Sequence, residues 1–318
     1  MKPVALIKDD FKSLLDYQAW IKETFANLSP KNTGHKVNYT KSHIEKMIQD
    51  NDYWFGSGAT YKELAEGIKQ YQDPELLDNL YQKVNHELNP AITQKLQPRK
   101  LRFNDLGFGM FCFDRAAMSL YRTKENEYSD SLVVKTNTKK LFAYFPEVSR
   151  DKHAVEFFIS SDASGSVKAE EMLYGGVSAV IMAELLMKAN IKVKINIVIG
   201  SALDLARQKY IGCIVPVKQY DEPLDRNVLA LLSSDPRFMR FDAFKGVICS
   251  FENFNMAAPS GLGLPMNATQ LKNLLEESGY TENLPSKHRF YFGGTFSEDA
   301  ALNKINNTIE DISDFLNA

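Results

Sequence analysis

Apolar positions along this chain follow two rhythms, and the change falls near residue 150. Before it they recur at helical spacing between polar stretches. Phe11, Leu14, Leu15, Ile21 and Phe25 predict a first helix that ends near Asn27 to Pro30, and His43 to Gln49 predict a short second one. Thr60 and Glu63 form a capping box, which starts a helix through Ile68. Asp73-Pro74 starts another, with Asp at the N-cap, Pro in the first turn and an inward stripe of Leu76, Leu77, Leu80 and Val84. Leu101 to Leu120, dense in aromatics and glycine, reads as an extended segment leading into a helix.

After residue 150 the rhythm is strand, helix, strand. Ala154 to Ile159 (AVEFFI) suits a buried strand. Lys168 to Ala189 is apolar nearly all round. Its Gly175-Gly176 pair costs about 1 kcal/mol per Gly relative to Ala, which a close helix-on-sheet contact would offset. Lys192 to Ile199 (KVKINIVI) alternates with period two. Further along, Ile211 to Val217 reads as a strand, Leu224 to Leu232 as a helix, and Phe244 to Phe251 as either. Leu271 to Ser278 reads as a helix, Arg289 to Phe292 as a strand, and Ser297 to Leu316 as a helix capped at Ser297. This alternation predicts an α/β domain over 151–318, a mostly parallel sheet with helices on both faces, after a mainly helical region over 1–150.

Composition narrows the setting. The chain has 318 residues, 38 Lys+Arg against 40 Asp+Glu, and a net charge of −2. That balance neither predicts nor excludes nucleic acid as a partner, because a basic patch can sit on a neutral chain. No apolar run approaches the roughly 20 residues of a membrane span, and the N-terminal run is too short for a secretory core. A cytoplasmic protein is expected. Cys112, Cys213 and Cys249 are widely spaced and suit a reducing compartment as buried thiols. The five histidines include no helical pair of zinc-enzyme spacing. No paired carboxylates or Ser-His-Asp arrangement can be placed on one edge, so the expectation is a non-enzymatic protein.

One string carries chemistry: Asp162-Ala163-Ser164-Gly165-Ser166, directly after the buried strand. Ligands of open α/β sheets bind beyond the carboxyl ends of strands. A carboxylate and two hydroxyls there can converge on a hard cation such as Mg²⁺. Without a metal, the same serines would simply cap the helix that follows. AVEFFISSDASGSV resembles the first strand and metal-ion-dependent adhesion site of von Willebrand factor A (vWA) domains. The resemblance implies a Rossmann-like fold, Mg²⁺ or Mn²⁺ at the top edge, and protein binding rather than catalysis. Asp162 would hold the metal through water, and Ser164 and Ser166 directly. The family also has a Thr after the third strand, where this chain offers only Asp221 or Asp225. Its later Asp falls where this chain has Gly293, Gly294 and Thr295.

Trp54-Phe55-Gly56-Ser57, residues 107–115, the metal-like loop and Asp235 to Arg240 together resemble bacteriophage proteins with a vWA-like C-terminal half. That likeness implies a viral protein of the host cytoplasm. The expected function is an interaction adaptor whose protein partner, by family resemblance, is an AAA+ ATPase. The alternatives are a phage transcription or replication factor that binds single-stranded DNA and recruits a polymerase, and a structural component of a particle. For the DNA reading the candidate contacts are Arg99, Lys100 and Arg102, beside aromatics able to stack on bases. Gly56 to Thr60 reads as a loop entering a helix rather than a phosphate loop, and Gly261 to Pro265 as a segment on the rim of the site.

Overall fold

The computed structural model describes residues 4–51, 54–69, 71, 73–88, 102–104, 110–113, 115–116, 141–144, 154–189, 191–204, 209–283 and 288–317. The chain divides into two compact units: one joins Met1–Leu96 to Ala154–Ala318, and the other is Gln97–His153. The boundary expected at residue 150 therefore does not separate an N-terminal domain from a C-terminal one. The N-terminal residues build the same body as the α/β residues.

In the larger unit the chain begins with strand β1 (Val4–Lys8) and helix α1 (Leu14–Ala26), capped by the Ser13 hydroxyl. A 3₁₀ stretch (Thr33–Tyr39) leads into α2 (Lys41–Asp50). Helix α3 (Tyr61–Glu66) opens with the predicted capping box. Thr60 Oγ1 accepts from Glu63 N, the Thr60 N–H donates to Glu63 Oε2, and Gly67 at φ 83° ends the helix. Asp73 caps α4 (Pro74–Glu87) by accepting from Leu76 N at 2.8 Å. The buried stripe of α4 is Leu77, Tyr81 and Val84, while Leu76 is 37% exposed. Leu77 and Val84 are buried as expected, and Tyr81 joins them in place of Leu76, its hydroxyl reaching Glu184 Oε2 at 2.6 Å.

The smaller unit contains β2 (Arg102–Asn104), β3 (Met110–Phe111) and β4 (Phe142–Tyr144), antiparallel in the order β2-β4-β3. Arg115 stacks 3.7 Å over the Phe103 ring, and the rings of Phe111 and Phe113 are exposed.

The larger unit continues with β5 (Ala154–Ser160), α5 (Ala169–Lys188), β6 (Lys192–Asp204) and β7 (Lys209–Lys218). Then come α6 (Arg226–Ser234), a π-helical stretch (Phe238–Ala243) and α7 (Phe244–Asn253). Last are α8 (Ala268–Glu277), β8 (Arg289–Phe292) and α9 (Glu298–Asn317). The ambiguous 244–251 segment is helical.

The five-stranded sheet runs β1-β7-β6-β5-β8. β8, β5 and β6 are mutually parallel, and β7 returns antiparallel along β6 with β1 parallel to it. The sheet is mostly parallel, as expected, with one hairpin that alternation alone does not reveal. Period two divides its side chains. Phe157 and Ile159 of β5, with Ile195, Ile197 and Ile199 of β6, enter the main core with α5, α6, α7, α9 and the N-terminal helices. Phe158 and Val198 enter a smaller core with Leu271, Leu274 and Leu275 of α8. Glu156, the polar residue in an otherwise apolar strand, is 1% exposed and accepts from Asn196 Nδ2 at 2.9 Å and Lys194 Nζ at 2.8 Å. A buried carboxylate is tolerated when paired in this way.

The glycine pair of α5 is explained by helix-on-helix rather than helix-on-sheet packing. A Cβ on Gly176 would lie 2.2 Å from Ser234 Oγ and 2.8 Å from Ser234 Cβ, whereas one on Gly175 would meet nothing closer than 3.6 Å. Gly176→Ala should therefore destabilise the chain by about 1–3 kcal/mol through overpacking. Gly175→Ala should be neutral or stabilising by up to about 1 kcal/mol from helix propensity. Urea denaturation midpoints of the two variants check this, and equal shifts would contradict the packing described.

Candidate functional site

The sheet's three parallel strands all end at one edge, and the loop from β5 to α5 stands there. The Ser161 N–H extends the ladder by donating to Val198 O at 2.9 Å. Asp162 follows. Its Oδ1 accepts from Ser160 Oγ at 2.6 Å, and its Oδ2 accepts from the Met266 N–H at 2.8 Å. The residue is only part-buried, but its carboxyl group is enclosed, and burial pushes its pKa up to about 7. Ser164 Oγ and Ser166 Oγ are 3.0 Å apart. The N-terminus of α5 comes next, with the Lys168 N–H donating to Glu171 Oε2.

Two other parts of the chain close over this edge. Residues 260–266 are tied to the end of β6 by paired Ala202 and Leu264 backbone bonds of 2.9 Å each. Gly263 there has φ +91°, and a Cβ would lie 2.0 Å from Ser201 Oγ, so only glycine fits. The N-terminal segment is docked by Asn32, which is fully buried. Asn32 accepts from Ala258 N and donates to Met256 O and Glu252 Oε2. The result is a cleft of about 480 Å³. One wall carries His35, Tyr39, Met47 and Trp54; Ser161 to Gly165 form its floor, and Gly261 to Pro265 its opposite rim.

Arg240, on the π-helical stretch, also lines the cleft and is 3% exposed. It donates from Nη1 to Trp54 O and from Nη2 to Val167 O, and its guanidinium lies 4.2 Å over the Trp54 ring. Burial pulls its pKa down to about 10. Arg240, Trp54 and Gly165 also line a second cleft of about 510 Å³, together with Ser166, Lys168 and Glu170.

The residues expected to complete a metal site do not meet here. β7 runs antiparallel to β6, so the loop after it leaves at the opposite end of the sheet. Asp221 pairs there with Lys192, the first residue of β6. Val198 of β6 pairs with Ser160, and strand rise puts that level roughly 20 Å from Lys192. Asp225 is the N-cap of α6, accepting from Val228 N at 3.0 Å. After β8, Gly293 packs against the backbone of Asn267 and Ala268, and Thr295 is buried, so no carboxylate enters from that side. Two oxygens on adjacent corners of a Mg²⁺ octahedron stand about 3.0 Å apart, so the Ser164 and Ser166 hydroxyls suit a cation. Asp162 does not. Both its oxygens accept hydrogen bonds, from Ser160 Oγ and the Met266 N–H, and the buried cation Arg240 lines the same cleft. Among the described residues no three His, Cys, Asp or Glu side chains gather where a metal could sit. The donor set does not fit a self-sufficient Mg²⁺ or Mn²⁺ site.

Of the residues proposed for nucleic acid, Arg99 and Lys100 lie outside the described residues, and Arg102 is described only as backbone in β2. Arg237 is held by Asp235 through two hydrogen bonds and stands 3.8 Å from Glu63. Its near neighbour Arg240 sits between Met239 and Phe241, an apolar flank that is the sequence signal of its burial.

A family model described as Domain of unknown function (DUF7192) matches residues 140–316, more than half of the chain. The match spans the Asp162 loop, Arg240 and the 260–266 rim, but not the N-terminal wall of the cleft. No curated protein and no solved structure matches the chain. Among the described residues no helix is long and apolar enough to cross a membrane.

The Asp162 carboxyl makes a pH prediction. Unfolded it ionises near 3.8, and folded near 7. Between those values the folded state holds a proton that the unfolded state has released, so this group's contribution to stability falls as pH rises and levels off above about 7. Asp162→Asn keeps an acceptor for Met266 N and turns an amide N–H to Ser160 Oγ, which can accept it once its hydroxyl hydrogen rotates away. Its stability should therefore fall less steeply than wild type between pH 4 and 7. A residual slope of the same sign should remain from Asp242, which burial raises to about 6. Chemical denaturation across that range reads both slopes, and parallel profiles would show that Asp162 does not titrate in this way.

Proposed function

We propose that this chain, which belongs to the DUF7192 family, is a vWA-like binding protein that takes a segment of a protein partner into the cleft at the carboxyl edge of β5 and β6. The observation that carries this reading is the cleft's construction. Loops from three distant parts of the chain wall an opening of about 480 Å³ where parallel strands end side by side. Open α/β sheets receive ligands at this edge, and binding sites of a few hundred Å³ are of the size that buries a ligand group. The sequence of buried strand, 20-residue helix and parallel strand around the Asp162 loop supports the vWA-like reading. So does the pair of serine hydroxyls, 3.0 Å apart, in that loop.

In this function the roles of the adhesion-type residues shift. Asp162 is a positioning residue that pins the 260–266 rim through Met266 N, and the partner is met by protein atoms instead of a bridging Mg²⁺. Ser164 offers a hydroxyl in the cleft, and Trp54 and Tyr39 offer apolar faces with a polar tip or edge, a pairing common at interfaces. That the partner is an AAA+ ATPase or a polymerase, in a bacteriophage setting, rests on resemblance alone.

Two measurements test the proposal. A photoreactive phenylalanine analogue at Leu264, an exposed rim position, should crosslink to a defined partner in the host cell; the same analogue at Leu15, exposed on α1 away from the cleft, should not. Equal crosslinking at both positions would defeat the reading. In a Mg²⁺ titration, wild type and Asp162→Ala should show equal changes in melting temperature, because a ligand of the folded state raises stability by mass action only where it binds. A rise confined to wild type would reinstate the metal.

A further inference from the structure

We propose that the cleft holds an oxyanion of the bound segment, a carboxylate or phosphate group, directly against Arg240. The inference rests on the cleft being the binding site and adds what it recognises. A buried ionised group left without an opposite charge is costly, and the chain shows the ordinary remedy three residues earlier, where Arg237 faces Asp235 and Glu63. Arg240, 3% exposed, has no ion pair among the described residues. Two carbonyl oxygens and the Trp54 ring stabilise it. They contribute dipoles and a quadrupole, but no net negative charge. Each terminal nitrogen of a guanidinium carries two hydrogens, so one on each remains after the bonds to Trp54 O and Val167 O. The Arg240 Nε is enclosed without a partner, as is Ser161 Oγ on the floor of the same cleft.

The surroundings favour the same ligand charge. Among the described residues Asp162 is the one acidic residue lining the cleft, and burial holds its carboxyl toward the neutral form, so it opposes an incoming anion less than an exposed carboxylate would. The loop runs into the N-terminus of the 20-residue α5, whose dipole is positive at that end. A simple staple between the Trp54 and Val167 loops would explain the two carbonyl bonds. It would leave the missing counter-charge and the unpartnered Ser161 hydroxyl without a purpose.

The test uses the full chain, with melting temperature followed while acetate, phosphate or chloride is raised at constant ionic strength. The proposal expects a saturable rise with acetate or with phosphate and none with chloride, and the stronger of the two identifies the group recognised. Arg240→Gln should weaken that response at least tenfold in apparent affinity. Should that variant fail to fold, Ser164→Glu serves instead, since it places a carboxylate in the cleft. It should raise the resting melting temperature and abolish the response. Equal responses of the wild type to all three anions, or a full response in Ser164→Glu, would overturn the proposal. Either result leaves the crosslinking at Leu264 untouched, so the oxyanion and the binding cleft can fail separately.

Discussion

The antiparallel pairing of β6 with β7 decides which loops of this chain can meet. Through that reversal the sheet gains an edge for β1 and sends the 218–225 loop to the far end, with Asp221 and Asp225. The edge where β5 and β6 finish is left to the Asp162 loop, the 260–266 rim and the N-terminal segment. Those three come together through hydrogen bonds that each cross a large sequence distance. Asp162 takes Met266 N, Asn32 takes Ala258 N, and Arg240 reaches Trp54 O and Val167 O. The cleft is therefore a consequence of topology first and of side-chain chemistry second.

Much of the fold was legible in the sequence because it is written in local chemistry. The Thr60-Glu63 box, the Asp73-Pro74 cap, the Ser297 cap and the strand, helix and strand from Ala154 to Ile199 depend on neighbours within a few residues. What could not be read depends on residues far apart. The hairpin was hidden because the strands read from the sequence stop at Ile199 and resume at Ile211, leaving room for either connection. The strands in fact extend to Asp204 and Lys209, and so short a link excludes a parallel crossover, which needs a dozen residues or more. β1 is not among the expected strands because its apolar run, Val4 to Ile7, is continuous and shows no alternation. Gly176 was legible as a close contact, but its partner, Ser234 on α6, was not.

The candidate site divides the same way. Asp162, Ser164 and Ser166 are placed where a motif after a buried strand should put them. Among the described residues no second acid joins Asp162 at that edge. A lone carboxyl enclosed by protein drifts toward its neutral form, since desolvation then outweighs its two hydrogen bonds. A second carboxylate beside it would add negative charge, which a bound cation relieves. Nothing local in the sequence distinguishes these cases, because the deciding residues lie after β7 and β8.

Arg240 completes that electrostatic argument. Asp162 leans toward neutrality and the buried Arg240 guanidinium lines the same cleft, where the low dielectric strengthens the field of its charge. A cation would enter against that field and an anion with it. The position of Arg240 on a π-helical stretch is consistent with such a role, since the extra residue per turn disturbs a helix and is found often at functional sites. The stretch turns Arg240 toward Trp54 and Val167 while Phe238, Met239 and Phe241 on either side stay in the core. A residue that served only packing could have been apolar at this position with less desolvation cost. The retained charge is most simply understood through what it faces.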